Sequence, residues 1–318
     1  MPFITKPLNA QAGRRMLIRA LEVFAENPEA DVDPILNDLQ DGLRQGLLLR
    51  AKDSRDACGV AVWHYAGLTK ASAEVNPLYV DPEAPPGAAE ALTDAVWKAA
   101  LTNPDVEMIS VRVREGQDAI RAVLLGRGAV IFRRNLMAFN LLTGKLRRVP
   151  RPQGYSIVNW RRQHDDQVQA LAPQVMRGSI DEVVVVDAQA DRVGEALLSI
   201  RHNNHPEYSE CVEEATLVAL DATGAVVGYV LTIAEPLFAV LLDMGVHPAH
   251  RRRGLGQALV SAALQNLTRM ECPMLVLIVT ARNTAALHLY EQLGFEVLNT
   301  GEMAIWWRDG RQRAWQNG

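Results

Sequence analysis

Residues 246–259 read Val246-His247-Pro248-Ala249-His250-Arg251-Arg252-Arg253-Gly254-Leu255-Gly256-Gln257-Ala258-Leu259. A basic loop carrying two glycines joins an apolar run, Leu237–Val246, to an amphipathic one, Gly254–Met270. The first pattern predicts a strand. The second predicts a helix with Leu255, Leu259, Ala262 and Leu267 on one face. A loop so placed is an anion cradle, because the first N–H groups of a helix lack intrahelical acceptors and carry the positive end of its dipole. Gly254 and Gly256 keep Cβ atoms out of the way of an approaching oxyanion, and Arg251, Arg252 and Arg253 add charge-assisted donors. A dinucleotide fingerprint needs a third glycine where Leu259 stands, and a Walker loop needs Gly-Lys-Ser/Thr, so neither NAD nor ATP is indicated. The plainer alternative is a solvated strand-to-helix turn.

The apolar run Pro273–Thr280 reads as a central strand. It leads to Asn283-Thr284-Ala285-Ala286-Leu287-His288-Leu289-Tyr290-Glu291-Gln292-Leu293-Gly294-Phe295, a helix ending at glycine. Asn283, Leu287 and Tyr290 share one face of it.

Together, Val246-x-Pro248-x-x-Arg251-x-x-Gly254-x-Gly256 and the Asn283–Phe295 segment resemble the two cofactor motifs of the GNAT-type N-acetyltransferase superfamily. The resemblance implies an α/β (α+β) fold with a mixed, splayed central sheet flanked by helices. Met244, Gly245 and Val246 would offer backbone groups to the pantetheine arm of acetyl-CoA, and Arg251 through Gln257 would hold its pyrophosphate. Asn283 would fix the helix or touch the cofactor, and Tyr290 would be the general acid that protonates the departing thiolate. A free tyrosine, with pKa near 10, faces a thiol of about 8.5, so that transfer runs slightly uphill unless the site shifts one of them. A buried tyrosine packing the core is the alternative reading.

An amine of pKa about 10 must lose a proton before it attacks a thioester. Several relatives carry a glutamate six residues before the loop valine, but that position here is Val240. Asp243 is the nearest carboxylate. It acts through water, holds the ammonium group, or bonds only local backbone. Glu235, His205 and Tyr208 stand where the acceptor pocket of such enzymes is shaped. His202-x-x-His205 has no further residues at ligand spacing, so no metal is expected, and His247 and His250 read as solvated.

Pairs of like residues recur 166 positions apart: Val80 and Val246, Pro82 and Pro248, Met108 and Met274, Gly128 and Gly294. This predicts two tandem GNAT-like domains, an arrangement similar to mycothiol synthase-like proteins. The expected division is 1–148, a linker at 149–152 (Val149-Pro150-Arg151-Pro152), 153–308 and a polar tail at 309–318. In the first copy, Asp81, Glu83, Pro85 and Pro86 replace the basic donors of the loop, Leu124 stands for Tyr290 and Gln117 for Asn283, so that copy is expected not to bind acetyl-CoA.

The 318 residues are 48% hydrophobic and 22% charged, with a formal net charge of −4, which gives no footprint for nucleic acid. The start, MPFITKPLNAQAGRRMLIRALEVF, has no secretory pattern, no segment reaches membrane-spanning length, and three scattered cysteines suit reduced thiols. A cytoplasmic monomer or homodimer is expected. The leading reading is acetyl transfer from acetyl-CoA by direct attack of an amine, whether a small amine, an amino sugar or antibiotic, or a peptide or protein amine. The competing class is a non-catalytic acetyl-CoA sensor or scaffold. Tyr290 discriminates, because a sensor has no use for its proton.

Overall fold

The computed structural model describes residues 3–8, 10–22, 28–67, 70–147, 149–150, 152–184, 192–205 and 207–316. The chain forms two compact units, Met1–Phe132 with Gly301–Gly318, and Arg133–Thr300. Val149 and Pro150 lie within the second.

The first unit contains β1 (Phe3–Pro7), α1 (Ala10–Leu21), α2 (Pro28–Gln40), β2 (Gln45–Ala51), β3 (Ala57–Ala66), β4 (Ser72–Val80), α3 (Ala88–Ala100), β5 (Met108–Val113), α4 (Asp118–Gly126) and the start of β6 (Val130–Asn140). Its strands run in the order β1-β2-β3-β4-β5, with only the β4–β5 pairing parallel. The two sheet faces carry different apolar sets, as period-2 side chains require. Leu49, Ala61, Val75 and Val111 pack with Leu92, Val96 and Trp97 of α3 and Leu124 of α4. Val60, Val62 and Tyr79 pack with Leu17 of α1 and Leu36 of α2. Sequence pattern alone does not mark α2, because Pro28 opens it and Pro34 lies inside it. Burial of Val32, Ile35 and Leu36 offsets the lost backbone bond.

The second unit contains β7 (Ser156–Asn159), α5 (Asp165–Met176), α6 (Asp181–Val184), α7 (Val193–Arg201), β8 (Leu217–Leu220), β9 (Val226–Ala234), β10 (Ala239–Val246), α8 (Leu255–Arg269), β11 (Met274–Thr280), α9 (Thr284–Leu293) and the start of β12 (Glu296–Trp307). Its strand order is β7-β8-β9-β10-β11-β6. Leu255, Leu259 and Leu267 of α8, with Ala262 partly buried beside them, join Leu275, Leu277, Val279 and Leu293 on one face, as their helical spacing predicts, and Leu264 adds to the same cluster. Val168, Leu171, Val175 and Leu197 cover Tyr229, Leu231 and Ile233 on the other.

Corresponding elements begin 166 residues apart: Met108 and Met274 open β5 and β11, Asp118 and Thr284 open α4 and α9, Val130 and Glu296 open β6 and β12. Each unit nevertheless completes its sheet with a strand from the other half of the sequence. In the second unit, Arg134–Asn140 of β6 pairs antiparallel with Thr280–Met274 of β11. In the first, Glu302–Trp307 of β12 pairs antiparallel with Val113–Met108 of β5. Among the described residues, no helix is long and apolar enough to cross a membrane.

Candidate active site

In the second unit, β10 pairs with β9 from Ala239↔Ala234 to Val246↔Gly228, but with β11 only at Ala239↔Leu275 and Val240↔Val276. The two parallel strands part after Val240. From Leu241 to Val246, that side of β10 has no strand neighbour among the described residues. A bulge between Leu241 and Asp243 twists the strand where it separates.

The chain leaves β10 through a tight 3-10 turn, Pro248–His250. His247 is not merely solvated: its Nδ1 accepts from the Ala249 amide at 3.2 Å, which leaves Nε2–H to donate to Gln174 Oε1 at 3.0 Å. Arg252 (φ +64°) and Gly254 (φ +79°) are left-handed, and such alternation creates a nest of N–H groups. The amides of Arg252 through Gln257 have no hydrogen-bond acceptor among the described residues. They sit at the positive end of the α8 dipole, so the loop has the electrostatics of an anion site.

The three arginines differ in their occupation. Arg251 donates through Nε to Val246 O at 3.0 Å and through Nη2 to Val175 O at 3.2 Å, pinning the loop to β10 and α5. Arg253 Nη1 donates to Tyr155 Oη at 3.0 Å, itself 3.0 Å from His250 Nδ1. Arg252 is exposed, with no acceptor among the described residues. Leu255 is buried and anchors the first turn of α8, while Gln257 donates to Gln292 of α9. Gly256 is small for a reason the sequence did not reveal. A Cβ there would stand 2.8 Å from Leu289 Cδ1 and 3.3 Å from Met244 Cε, so its absence lets α8 seat against α9. Gly245 likewise admits Val175, whose Cγ1 would be 2.6 Å from an added Cβ.

Where β10 parts from β11, Tyr229 donates its hydroxyl to Asp243 Oδ2 at 3.0 Å. Burial, together with the nearby Asp181 carboxylate, pushes the Asp243 carboxyl up to about 7 against the lowering effect of that hydrogen bond. Asn283 caps α9, its Oδ1 accepting from the Ala286 amide at 3.2 Å, and its Nδ2 donates to Asp181 Oδ2 at 3.4 Å. Burial raises the Asp181 carboxyl, while the Arg134 charge and the Asn283 bond act the other way. Tyr290 is buried, its ring centroid 5.6 Å from that of Phe295. Burial first, then the Asp243 and Asp181 charges, hold its hydroxyl well above the ordinary tyrosine range. The place where β10 parts from β11 therefore gathers Asp243, Asn283 and Tyr290 with three residues sequence reasoning missed, Tyr229, Asp181 and Arg134. Tyr290 packs in the core cluster on the α8 side of the sheet and Tyr229 in the one on the α5 side. Tyr229 is registered opposite Gly245, and Arg134 opposite Thr280, pairings no local pattern announces.

Of the three residues expected to shape an acceptor pocket, Tyr208 packs against the core cluster that also holds Tyr229 and Val240. Glu235 begins the β9–β10 turn, at the opposite end of β10 from Val246, and accepts from Ser209 Oγ at 3.0 Å. His205 is buried against Tyr208, ring centroids 4.7 Å apart. His202 Nε2 is 2.9 Å from Asp165 Oδ2.

The first unit repeats this frame with other contents. Pairing of β4 with β5 ends at Val75↔Val111, and Gly87 (φ +85°) opens α3 as Gly254 opens α8. Leu124 is fully buried in the place of Tyr290, and Gln117 turns to the Val80 backbone instead of capping α4.

Residues 190–295 match the family described as Acetyltransferase (GNAT). Over 129 residues, 39% of this chain and 40% of the relative, the chain is 29% identical to a mycothiol acetyltransferase of Stackebrandtia nassauensis. Over 87 residues, 27% of this chain and 61% of the relative, it is 36% identical to an acetyltransferase of Yersinia enterocolitica. These matches therefore span only part of each curated relative. Two solved structures share the fold along nearly the whole chain. A GCN5-related N-acetyltransferase from Sphaerobacter thermophilus superposes with TM-score 0.67 at 18% identity, covering 96% of both chains. A tandem GNAT protein from the clavulanic acid biosynthesis pathway superposes with TM-score 0.54 at 19% identity, covering 96% of this chain and 98% of that one.

Proposed function

We propose, from the premise that residues 190–295 are a GNAT acetyltransferase domain, that the second unit transfers an acetyl group from acetyl-CoA to an amine. The observation that carries this reading is the parting of β10 from β11 after Val240 beside a loop of acceptor-free amides. The open edge of Met244–Val246 suits a pantetheine arm, which carries amides of its own. The amides of Arg252–Gln257, with the Arg252 guanidinium, suit a pyrophosphate. Arg251 acts on the loop itself, and Asn283 on the start of α9.

The chemistry divides between two groups. Asp243, with a carboxyl near 7, is matched to accept the ammonium proton at neutral pH and frees the lone pair to attack the thioester carbon. Tyr229 orients that carboxylate. As the tetrahedral adduct collapses, the C–S bond breaks, the nitrogen sheds its second proton and the sulfur gains one. Tyr290 is held protonated, so it donates a hydrogen bond to the developing thiolate. Full transfer is uphill for so weak an acid against a thiol of about 8.5, and it proceeds as the nitrogen proton is released. The acceptor amine approaches from the face that holds Asp181 and Asp243, whose negative charge favours a cation.

Calorimetric titration with acetyl-CoA and free CoA tests the reading. One site per chain is expected, lost in the Arg253→Glu/Gly256→Glu variant, which sets carboxylates in the loop and a side chain against Leu289. Absence of binding would overturn the donor assignment. An amine screen with thiol release as readout then tests transfer.

A further inference from the structure

A cavity of about 520 Å³ opens in the first unit between β1, α1 and the β2–β3 hairpin. Among the described residues, Lys6, Arg15, Arg19, Arg50 and Arg55 line it, against a single carboxylate, Asp56. Such a concentration of one sign is local, because the whole chain carries more Asp and Glu (37) than Lys and Arg (33). Two of the cations are already engaged: Arg19 pairs with Asp81, and Arg50 Nη1 donates to Ser54 O at 2.7 Å. Lys6, Arg15 and Arg55 have no hydrogen-bond or ion-pair partner among the described residues. They reach the cavity from three separate elements, so their charges are held near one another by the fold. Met16 and Leu48 form an apolar part of its wall.

Like charges around one concavity repel, and a concave wall concentrates their field, so the arrangement attracts a multiply charged anion. Guanidinium groups match phosphate geometry through paired donors, and an ammonium adds a point charge. We propose that this cavity binds a small organic molecule carrying more than one phosphate group, independently of the acetyl-donor loop in the second unit. The free cations from separate elements each meet anionic oxygen, and the Met16–Leu48 wall takes the organic part. Its lining comes from β1, α1 and the β2–β3 hairpin, whereas the first unit's counterpart of the donor loop, Val80 to Gly87, follows β4 and touches a lining residue through the Arg19–Asp81 pair.

The probe is inorganic pyrophosphate, titrated calorimetrically into the full chain carrying Arg253→Glu/Gly256→Glu, so that the loop of the second unit does not contribute. One binding event that weakens with added salt is expected. Adding Arg15→Glu/Arg55→Glu to that background should weaken it by about tenfold or more, and Lys6→Gln alone by a few fold, with unchanged far-ultraviolet circular dichroism. No residual binding in the background protein, or binding indifferent to both the Arg15/Arg55 and Lys6 changes, overturns the proposal. Orthophosphate or citrate binding as tightly as pyrophosphate overturns its assignment to a ligand with linked phosphates.

Discussion

Gln117 holds both backbone polar groups of Val80: its Oε1 accepts from the Val80 amide at 2.9 Å and its Nε2 donates to the Val80 carbonyl at 3.0 Å. Val80 is the counterpart of Val246, the residue at which the second unit's splayed strand ends. The side-chain amide of Gln117 thus fills, inside the first unit, the kind of backbone position that in the second unit is left without a strand neighbour. Gln117→Leu would leave a buried N–H and C=O without partners, at a cost of about 2–4 kcal/mol. A lowered urea midpoint with unaltered slope checks this, and a midpoint equal to that of the parent would show the pair contributes nothing.

The Asp243 carboxyl gives a pH signature of definite sign. Its folded-state value of about 7 exceeds the ordinary 3.8, so the native state binds this proton more tightly than the unfolded chain. The resulting stability is fully present below about pH 4 and is lost as pH rises through 7. Asp243→Asn removes that loss while keeping an acceptor for Tyr229. The variant should be more stable than the parent at pH 8 by on the order of 2–4 kcal/mol, the gap closing toward pH 4. Urea midpoints at both pH values measure it. In kcat/KM, the rising limb near pH 7 should vanish in the variant.

Tyr290→Phe keeps the ring beside Phe295 and deletes only the hydroxyl. With a found acceptor, kcat should fall about 10²-fold or more, while calorimetric affinity for acetyl-CoA stays within about twofold. Unchanged kcat would sink the assigned role and favour a structural tyrosine. Loss of both binding and kcat would place Tyr290 in the donor site instead.

Strand exchange between the sequence halves makes dissection costly. A fragment beginning at Gln153 lacks Arg134–Asn140, the antiparallel partner of β11, and so exposes a sheet edge that includes Leu275, Leu277 and Val279. It should aggregate or remain unfolded by size-exclusion and circular dichroism. Supplying residues 1–148 in the same cell should restore soluble protein. A well-folded, monomeric Gln153 fragment would show that β6 is dispensable.

Much of the donor loop was legible because its logic is local. Gly254 is left-handed, α8 begins one residue later, Asn283 caps α9 and Gly294 ends it, all within a few residues of the sequence signals. The side chains around Asp243 were not legible. Tyr229 arrives by cross-strand register and Asp181 from a short helix whose place depends on the packing of its neighbours. Gly256 was readable as a glycine that mattered, but the atoms requiring it, on Leu289 and Met244, belong to other elements.

Taken alone, the sequence marked the loop between β10 and α8, the two helices that flank β11 and the 166-residue spacing of like residues, since turn chemistry, capping and apolar period act over a few residues. It did not mark α2 or the short helix of Asp181. Tertiary structure decided which strand completes each sheet. β6 and β12 occupy equivalent places in the repeat, and the alternation of side chains specifies which face of a strand is buried without naming its neighbour. Arg134 therefore lies before the expected linker and yet acts on Asp181 within the second unit. Only closure of the sheets could assign it there.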